Sequence, residues 1–311
     1  MQIIGLDLGG TKCAVVEGDE QGKFYKIDKF QTSDPKTTLG RIFASIEKIQ
    51  RGPDPVIGVA CGDPQDAKKG LILSPPNMPG WDNIEIVREL EDRFGGEAYL
   101  MNDANAGALA EWRFGSAKGY QNVVFCTHGT GMGAGLILNS RLYEGTSGSA
   151  GEIGHTRLAA DGPTGYGKAG SFEGFCSGGG IAQIARARAA EMGGKVAFNP
   201  GRIEDITTKD VAIAAENGDA VAQEILSLSG TYLGQGLSTV IDIINPQIIV
   251  LGSLYMRCGR FFESAMRERL ERETLPRSLA NCRIVPAGLG EQIGNFAAIS
   301  VALYRKGIMD V

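Results

Sequence analysis

The sequence contains no apolar run of the roughly 18 residues that a membrane-spanning helix needs, and it does not open on a basic segment followed by an apolar one. We therefore expect a cytoplasmic protein without a membrane partner. No two cysteines form a C-x-x-C pair, so neither a disulfide scaffold nor a zinc knuckle is indicated. The six cysteines are typical of small buried hydrophobic residues: Cys13, Cys61, Cys126, Cys176, Cys258 and Cys282.

Positive charge is not in excess. Lysine and arginine number 31 against 36 aspartates and glutamates, a net charge of −5, whereas a protein that grips nucleic acid presents a basic face. In the arginine-rich segment 266–274, glutamates alternate with the arginines, which is typical of a solvated helix face. We predict that nucleic acid is not a partner.

Glycine, by contrast, is abundant. It supplies 45 of 311 residues, about twice the roughly 7% of an average protein, without a collagen-like period. Such an excess serves turns and places where the backbone approaches a bound molecule closely. At roughly 100–200 residues per domain, the length predicts two domains with a cleft between them.

Strand-like segments flank a glycine-rich turn twice along the chain. Residues 2–8 and 13–16 flank the first turn, and residues 122–127 and 136–138 flank the second. This repetition predicts two similar α/β domains. Farther along, apolar periodicity predicts a helix over 261–272.

The first glycine turn lies within the segment GLDLGGTK, residues 5–12. Gly9 and Gly10 are adjacent, so their backbone amides can face an anion, and the Thr11 hydroxyl and the Lys12 ammonium follow directly. The segment is not a Walker A loop, because its spacing differs and a strand follows instead of a helix. A phosphate cradle and a plain hairpin turn both remain open.

The second glycine turn, THGTGMGAG over 127–135, fits a loose G-x-G-x-x-A pattern. A dinucleotide-binding fingerprint must open a helix, whereas β-like residues 136–138 follow here, so we reject that interpretation. A hairpin that contacts phosphate fits better.

An acidic side chain, Asp103, stands at the start of a predicted helix over 104–112, directly after Asn102 and a predicted strand over 98–101. The helix terminus should keep this carboxyl ionised. Taken alone, the position is also that of an N-cap aspartate.

Five ordered blocks resemble the ROK family of bacterial sugar kinases and repressors, within the actin-like ATPase clan. They are residues 5–12, 77–81, 102–106, 129–135 and 151–155. The resemblance implies two actin-like (ribonuclease H-like) α/β domains with an interdomain cleft. We expect a smaller N-terminal domain of residues 1–115, on which the C-terminal helix within 293–311 packs back, and a larger C-terminal domain of residues 116–292.

The resemblance also implies ATP and Mg²⁺ as cofactors, and it assigns roles to matching residues. Asp103 would be the base that accepts a proton from the sugar hydroxyl, and Asp7 would steer Mg²⁺ through water. Gly252 would form the turn against the adenosine, although Ser253 stands where the family often has a second glycine.

The remaining contacts divide into two groups. The ATP phosphates would contact Gly9, Gly10, Thr11, Lys12, Thr127, Gly129, Thr130, Gly131 and Gly133. The sugar hydroxyls would contact side chains that donate and accept hydrogen bonds, with Gly62 in a bordering loop: Asn77, Asn102, Asp103, Glu152, His155 and Glu173.

Two loops depart from the family pattern. Many members carry C-x-C-G-x-x-G-C-x-E and bind structural Zn²⁺, but residues 164–171 have no cysteine, and His155 alone cannot complete a four-ligand site. We predict no zinc and a loop held by packing of Tyr166 and Phe172. Residues 61–66, near the sugar, also differ from the usual P-G-P-x-D, so they bear on which sugar is bound.

We therefore expect an ATP-dependent hexose kinase, with the 6-hydroxyl of glucose as first choice. Fructose, mannose, allose and N-acetylated hexosamines remain open. A catalytically silent sugar-binding sensor is the alternative from another class, and a structural ATPase would not need the sugar-contacting set. The sequence starts at the phosphate strand without a preceding helix-turn-helix, which favours an enzyme, and family habit favours a homodimer.

Overall fold

The protein has a mixed α/β secondary structure. Its structure is a computed structural model that describes residues 1–75 and 77–309. The strands are β1 (Ile3–Leu8), β2 (Lys12–Gly18), β3 (Phe24–Gln31), β4 (Val56–Cys61), β5 (Gln65–Asp66), β6 (Leu71–Leu73), β7 (Asp82–Ile84), β8 (Glu97–Asn102), β9 (Val123–Cys126), β10 (Ala134–Leu138), β11 (Arg141–Leu142), β12 (Thr164–Gly165), β13 (Lys168–Ala169), β14 (Ile248–Leu251) and β15 (Arg283–Pro286). The helices are α1 (Pro35–Ile49), α2 (Ile86–Phe94), α3 (Asp103–Phe114), α4 (Phe172–Cys176), α5 (Gly178–Glu191), α6 (Thr208–Glu216), α7 (Ala220–Ile244), α8 (Ser253–Glu273), α9 (Pro276–Ala280) and α10 (Ile293–Arg305).

The chain divides into two compact units. The first contains Met1–Gln121, Gly135–Ala150 and the segment from Gly288 onward, and the second contains Asn122–Ala134 and Gly151–Ala287. No helix within the described residues is long and apolar enough to cross a membrane.

The first unit is built on a five-stranded sheet in the order β3-β2-β1-β4-β8. β1, β2 and β3 form an antiparallel meander, while β4 and β8 run parallel to β1. Every residue of β4 is buried, as an inner strand covered on both faces requires. The strands predicted over 2–8 and 13–16 are confirmed.

Helix α10 covers β1 and β4 and also packs on α3. It approaches the sheet closely at Gly58, where a Cβ atom would overlap the carbonyl oxygen of Ala298 and lie 2.6 Å from the nitrogen of Ala302. Glycine at this strand position therefore lets the helix backbone rest directly on the sheet.

The second unit contains the parallel strands β9, β14 and β15, with β14 in the middle. Its two longest helices, α7 and α8, pack on each other. The predicted helix over 261–272 is only the second part of α8, which begins at Ser253.

The compact units differ from the expected division at 115/116 and 292/293. Residues Gly135–Ala150, which include most of the β10–β11 hairpin, cluster with the first unit, where a Cβ on Gly135 would lie 2.6 Å from the Ala108 Cβ of α3. The chain also returns to the first unit earlier than expected, at Gly288. There the buried Glu111 carboxylate accepts the backbone N–H groups of Gly288 at 3.0 Å and Leu289 at 2.9 Å.

Candidate active site

The first glycine loop, residues 9–12, joins β1 to β2. It is closed by a hydrogen bond from the Gly9 N–H to the Lys12 carbonyl at 3.2 Å, and the Thr32 hydroxyl donates to the Gly9 carbonyl at 2.5 Å. The N–H groups of Gly10 and Thr11 have no hydrogen-bond acceptor among the described residues. Two consecutive backbone donors can therefore face an anion.

Asn77 lies directly against this loop. A Cβ on Gly10 would overlap the Asn77 carbonyl oxygen and lie 2.8 Å from its side-chain Cγ. Only glycine leaves room for this approach, so Gly10 brings an exposed amide side chain next to the two backbone donors.

Asn102, not Asp103, caps helix α3. The Asn102 Oδ1 atom accepts the N–H groups of Ala104 at 2.9 Å and Asn105 at 3.1 Å. Its Nδ2 atom donates to Asp63 Oδ2 at 2.5 Å. The alternative of an N-cap aspartate is therefore wrong, and the Asp103 carboxyl is not consumed by capping.

The Asp103 side chain is exposed at the start of α3, with Gly62 beside it: a Cβ on Gly62 would lie 3.9 Å from Asp103 Oδ2. Desolvation by the surrounding protein raises the pKa of Asp103, and the backbone N–H groups of Ala104 and Asp103 oppose that rise. The helix N-terminus thus lowers the pKa of Asp103, as expected, but desolvation raises it by more. A carboxylate with a raised pKa is a stronger proton acceptor.

Asp7, on β1, is a second half-buried carboxyl in the first unit. Burial and the negative charge of Asp103 raise its pKa to about 6, against the opposing charges of Lys12 and Lys29. Gly294, in the first turn of α10, lies so close that a Cβ there would overlap the carboxylate. A carboxyl whose pKa is raised by a neighbouring carboxylate marks a place where a cation would be stabilised.

The second glycine loop, residues 127–133, lies in the second unit. Thr127 closes it by donating its N–H to the Gly133 carbonyl at 3.0 Å and accepting the Gly133 N–H on its hydroxyl at 3.1 Å. Within the part of the chain that the structure describes, the N–H groups of Thr130 and Gly131 have no acceptor. The loop therefore repeats the pattern of the first one.

Gly252 contacts this second loop. It follows β14, donates its N–H to Cys126 at 2.9 Å, and would place a Cβ 2.6 Å from the Thr127 carbonyl oxygen. A side chain larger than hydrogen would push the loop away.

Helix α4 places Glu173 against the same loop. The Ser171 hydroxyl caps the helix by accepting the Gly174 N–H at 3.0 Å. Glu173 Oε2 accepts the N–H of Met132 at 3.0 Å. The predicted sugar-contacting glutamate is therefore held by the predicted phosphate loop.

His155 and Glu152 lie at a short 3₁₀ helix, Ile153–His155, in the second unit. The Lys168 ammonium donates to the His155 carbonyl at 2.6 Å, and the Tyr166 ring meets the imidazole edge-on at 6.2 Å between centroids. The exposed imidazole is thus fixed from its backbone side.

The loop over 164–171 is held differently from the expectation. Phe172 is fully buried, as predicted, but Tyr166 is 68% exposed, so packing of Tyr166 does not hold the loop. Two hydrogen bonds hold the loop instead. The Lys168 ammonium donates to the His155 carbonyl, and the Arg157 side chain donates to the Ala169 carbonyl at 2.7 Å. In the described residues no group of three or more His, Cys, Asp or Glu side chains could hold a metal ion; the absence of zinc stays a prediction.

Two residues beside the candidate site were not predicted from the sequence. His128 is completely buried, with Nε2 2.9 Å from the Cys176 carbonyl oxygen, and Lys168 supports His155. A histidine directly before a glycine run was a usable signal for the first. Nothing local marks the second, because its contact depends on how the loop folds back.

A mixed α/β chain with a glycine loop after the first strand of an antiparallel pair, and a second such loop later, has the architecture of the actin-like ATPase fold. The ROK family pattern matches residues 3–304, and the chain belongs to this family. The crystal structure of a ROK family glucokinase from Streptomyces griseus in complex with glucose and AMPPNP superposes with a TM-score of 0.81 at 28% identity, covering 99% of this chain and 100% of that one.

Curated relatives include both enzymes and regulators. A glucokinase of Thermotoga maritima is 29% identical over 313 residues, covering 99% of each chain. A xylose repressor of Caldicellulosiruptor bescii is 25% identical over 311 residues, covering 97% of this chain and 78% of the repressor.

Proposed function

We propose that the protein is an ATP-dependent sugar kinase that transfers the γ-phosphate of ATP to a hexose hydroxyl, with the 6-hydroxyl of glucose as the acceptor. The observation that carries the proposal is the pair of glycine loops whose adjacent amides have no acceptor among the described residues, together with Asp103, a carboxyl that does not cap its helix. The similarity to glucokinases supports the same function.

Each of the two loops would bind phosphate oxygens. Gly10 and Thr11 in one loop, and Thr130 and Gly131 in the other, present backbone donors that have no acceptor among the residues described. Such donors stabilise the charge on the phosphate oxygens without reorganising during the reaction. Lys12 would add a positive charge beside the first pair, and Gly252 would form the turn against the adenosine.

Asp103 would act as the general base. Its raised pKa lets it take the proton of the attacking hydroxyl, and its exposed position lets a sugar reach it. Phosphoryl transfer depends on positioning and charge neutralisation more than on covalent chemistry, so one such carboxylate suffices.

The carboxyl pair of Asp7 and Asp103 fits Mg²⁺. Oxygen ligands suit this ion, and the mutual repulsion recorded in the pKa of Asp7 is the charge that a cation would neutralise. Asp7 would hold the ion through water. When bound, Mg²⁺ supplies neutralisation of the charge on the β- and γ-phosphates.

The polar side chains that would contact the sugar hydroxyls are Asn77, Glu152, His155 and Glu173. A buried hydroxyl left without a partner costs about 1–3 kcal/mol, so the placement of these groups would select the epimer. The Nδ2 atom of Asn102 bonds Asp63 in the altered loop 61–66, which links that loop to the sugar-reading set.

A non-catalytic sugar sensor is the second candidate, favoured by the xylose repressor that matches 97% of this chain. An ADP-release assay over a panel of glucose, fructose, mannose, allose and N-acetylated hexosamines with Mg-ATP decides between them. We expect turnover with glucose above the other sugars. Sugar binding without ADP release from any of them would favour the sensor.

A further inference from the structure

The second glycine loop contacts two helices. Its middle accepts the N–H groups of Gly178 and Gly179, at the start of α5, on the carbonyls of Gly129 at 2.8 Å and Thr130 at 3.2 Å, and its two ends are held by α4. Where the loop begins, His128 Nε2 lies 2.9 Å from the carbonyl oxygen of Cys176, the last residue of α4. Where it ends, the Met132 N–H donates to Glu173 Oε2, in the first turn of α4. The two ends of α4, a helix of five residues, therefore contact the two ends of the loop.

The state of His128 follows from its surroundings. A carbonyl oxygen can only accept, so Nε2 carries the proton and Nδ1 does not. Complete burial lowers the pKa of His128 to about 4, so the ring is neutral at physiological pH. The Phe262 ring flanks it at 5.7 Å between centroids.

The backbone of His128 adds a second indication that the residue is held in place. Its φ is +41°, in the left-handed region that residues other than glycine enter at a cost. Its carbonyl accepts the N–H of Leu254 at 2.8 Å, in the first turn of α8. Surrounding contacts thus fix both the backbone and the side chain at the loop entrance.

We propose that His128 is a positioning residue that, with Glu173, locks the phosphate loop onto α4 and so makes sugar binding and nucleotide binding interdependent. The inference rests on the proposed function for the ligands. A sugar that engages Glu173 orders α4, and α4 in turn orders the amides of Thr130 and Gly131. Binding of the nucleotide to those amides then costs less conformational entropy. By thermodynamic reciprocity, bound nucleotide increases the affinity for the sugar by the same factor.

The test compares His128→Leu with His128→Gln. Leucine fills the space without a donor, whereas the glutamine amide can still donate to the Cys176 carbonyl, and both carry the same backbone cost. Calorimetry gives the glucose Kd with and without Mg-AMPPNP, and the ratio of the two is the coupling factor. Losing one hydrogen bond should reduce that factor about 3- to 10-fold in His128→Leu, and His128→Gln should restore most of it.

Hydrogen exchange of the unliganded proteins supplies a readout that needs no ligand. Amides of residues 129–132 should exchange faster in His128→Leu than in His128→Gln or the wild type. Equal exchange in all three, or an unchanged coupling factor in His128→Leu, overturns the inference. A wild type that binds nucleotide but none of the sugars would refute the proposed function, and the exchange result would still decide whether His128 fastens the loop.

A measurement on the wild type tests the inference even if the leucine variant does not fold. Nitrogen-15 NMR of the histidines should show His128 as the neutral Nε2–H tautomer from pH 8 to pH 5. An Nδ1–H tautomer, or titration near the ordinary pKa of histidine, would mean that the bond to Cys176 is not made and would overturn the inference.

Discussion

Asp7 and Asp103 are two carboxyl groups of the first unit that repel one another. Burial and the charge of Asp103 raise the pKa of Asp7 to about 6, from an ordinary value of 3.8. A raised pKa means that the folded protein holds the Asp7 proton more tightly than the unfolded chain does. The stability that Asp7 contributes is therefore present at low pH and is lost as the pH rises through about 6.

Replacing Asp7 by asparagine should stabilise the fold while impairing activity. At pH 8 the charged form is costly, so Asp7→Asn should melt a few degrees above the wild type. At pH 5 Asp7 is already mostly protonated, and the gain should shrink. Thermal melts at the two pH values check this expectation; a lower melting temperature for the variant at pH 8 would contradict it.

Removing the tie between Lys168 and His155 should weaken sugar binding. Lys168→Met loses a charge-assisted hydrogen bond to the His155 carbonyl, so we expect a KM for the sugar about 3- to 10-fold higher, with kcat less affected. Lys168→Arg should recover part of the loss. Lys195→Met, at an exposed lysine of the second unit, is the control. Equal effects of Lys168→Met and Lys195→Met would show that the bond from Lys168 to the His155 carbonyl does not support sugar binding.

The loop over 164–171 should need no zinc. Its ties are side chains that donate to carbonyl groups, and Ser171 caps α4 instead of binding a metal. Metal analysis of the purified protein should find far less than one zinc per chain, and a chelator should leave the melting temperature unchanged. One zinc per chain that is lost together with stability would refute this account.

The contact between β4 and α10 should be intolerant of a single methyl group. Gly58→Ala would force α10 off the sheet, because the new Cβ overlaps the Ala298 carbonyl, at a cost of about 3 kcal/mol in the free energy of unfolding. Gly40→Ala is the matched control, since Gly40 lies exposed in α1 and no atom of the described residues comes within 4 Å of its Cβ position. It should stabilise the fold by up to about 1 kcal/mol. Denaturant unfolding of both variants measures the difference; equal stabilities would disprove the close approach.

Local signals made part of this architecture predictable. Alternating strands around Gly9 and Gly10 predicted the β1–β2 hairpin, and the order of Asn102 and Asp103 predicted a helix start there. The sequence did not decide which of these two adjacent residues caps the helix. Either side chain can cap a helix. Only the folded geometry shows that Asn102 accepts the capping hydrogen bonds and that the Asp103 carboxyl does not.

The tertiary contacts could not be predicted from local sequence patterns. The close approach of Gly135 to Ala108 was not predicted, because two small residues carry no periodic signal. Helix α8 begins eight residues before the predicted start, because its first turns mix charged and apolar side chains. Lys168 reaches His155 only after the loop has folded back.

The most direct test of the central claim is the Asp103→Asn variant. Asparagine keeps the size of the side chain but cannot take a proton, so kcat with Mg-ATP and glucose should fall about 10²- to 10⁴-fold. Calorimetry should meanwhile show a glucose Kd within about threefold of the wild type. Turnover close to that of the wild type would show that Asp103 is not the base and would contradict the account.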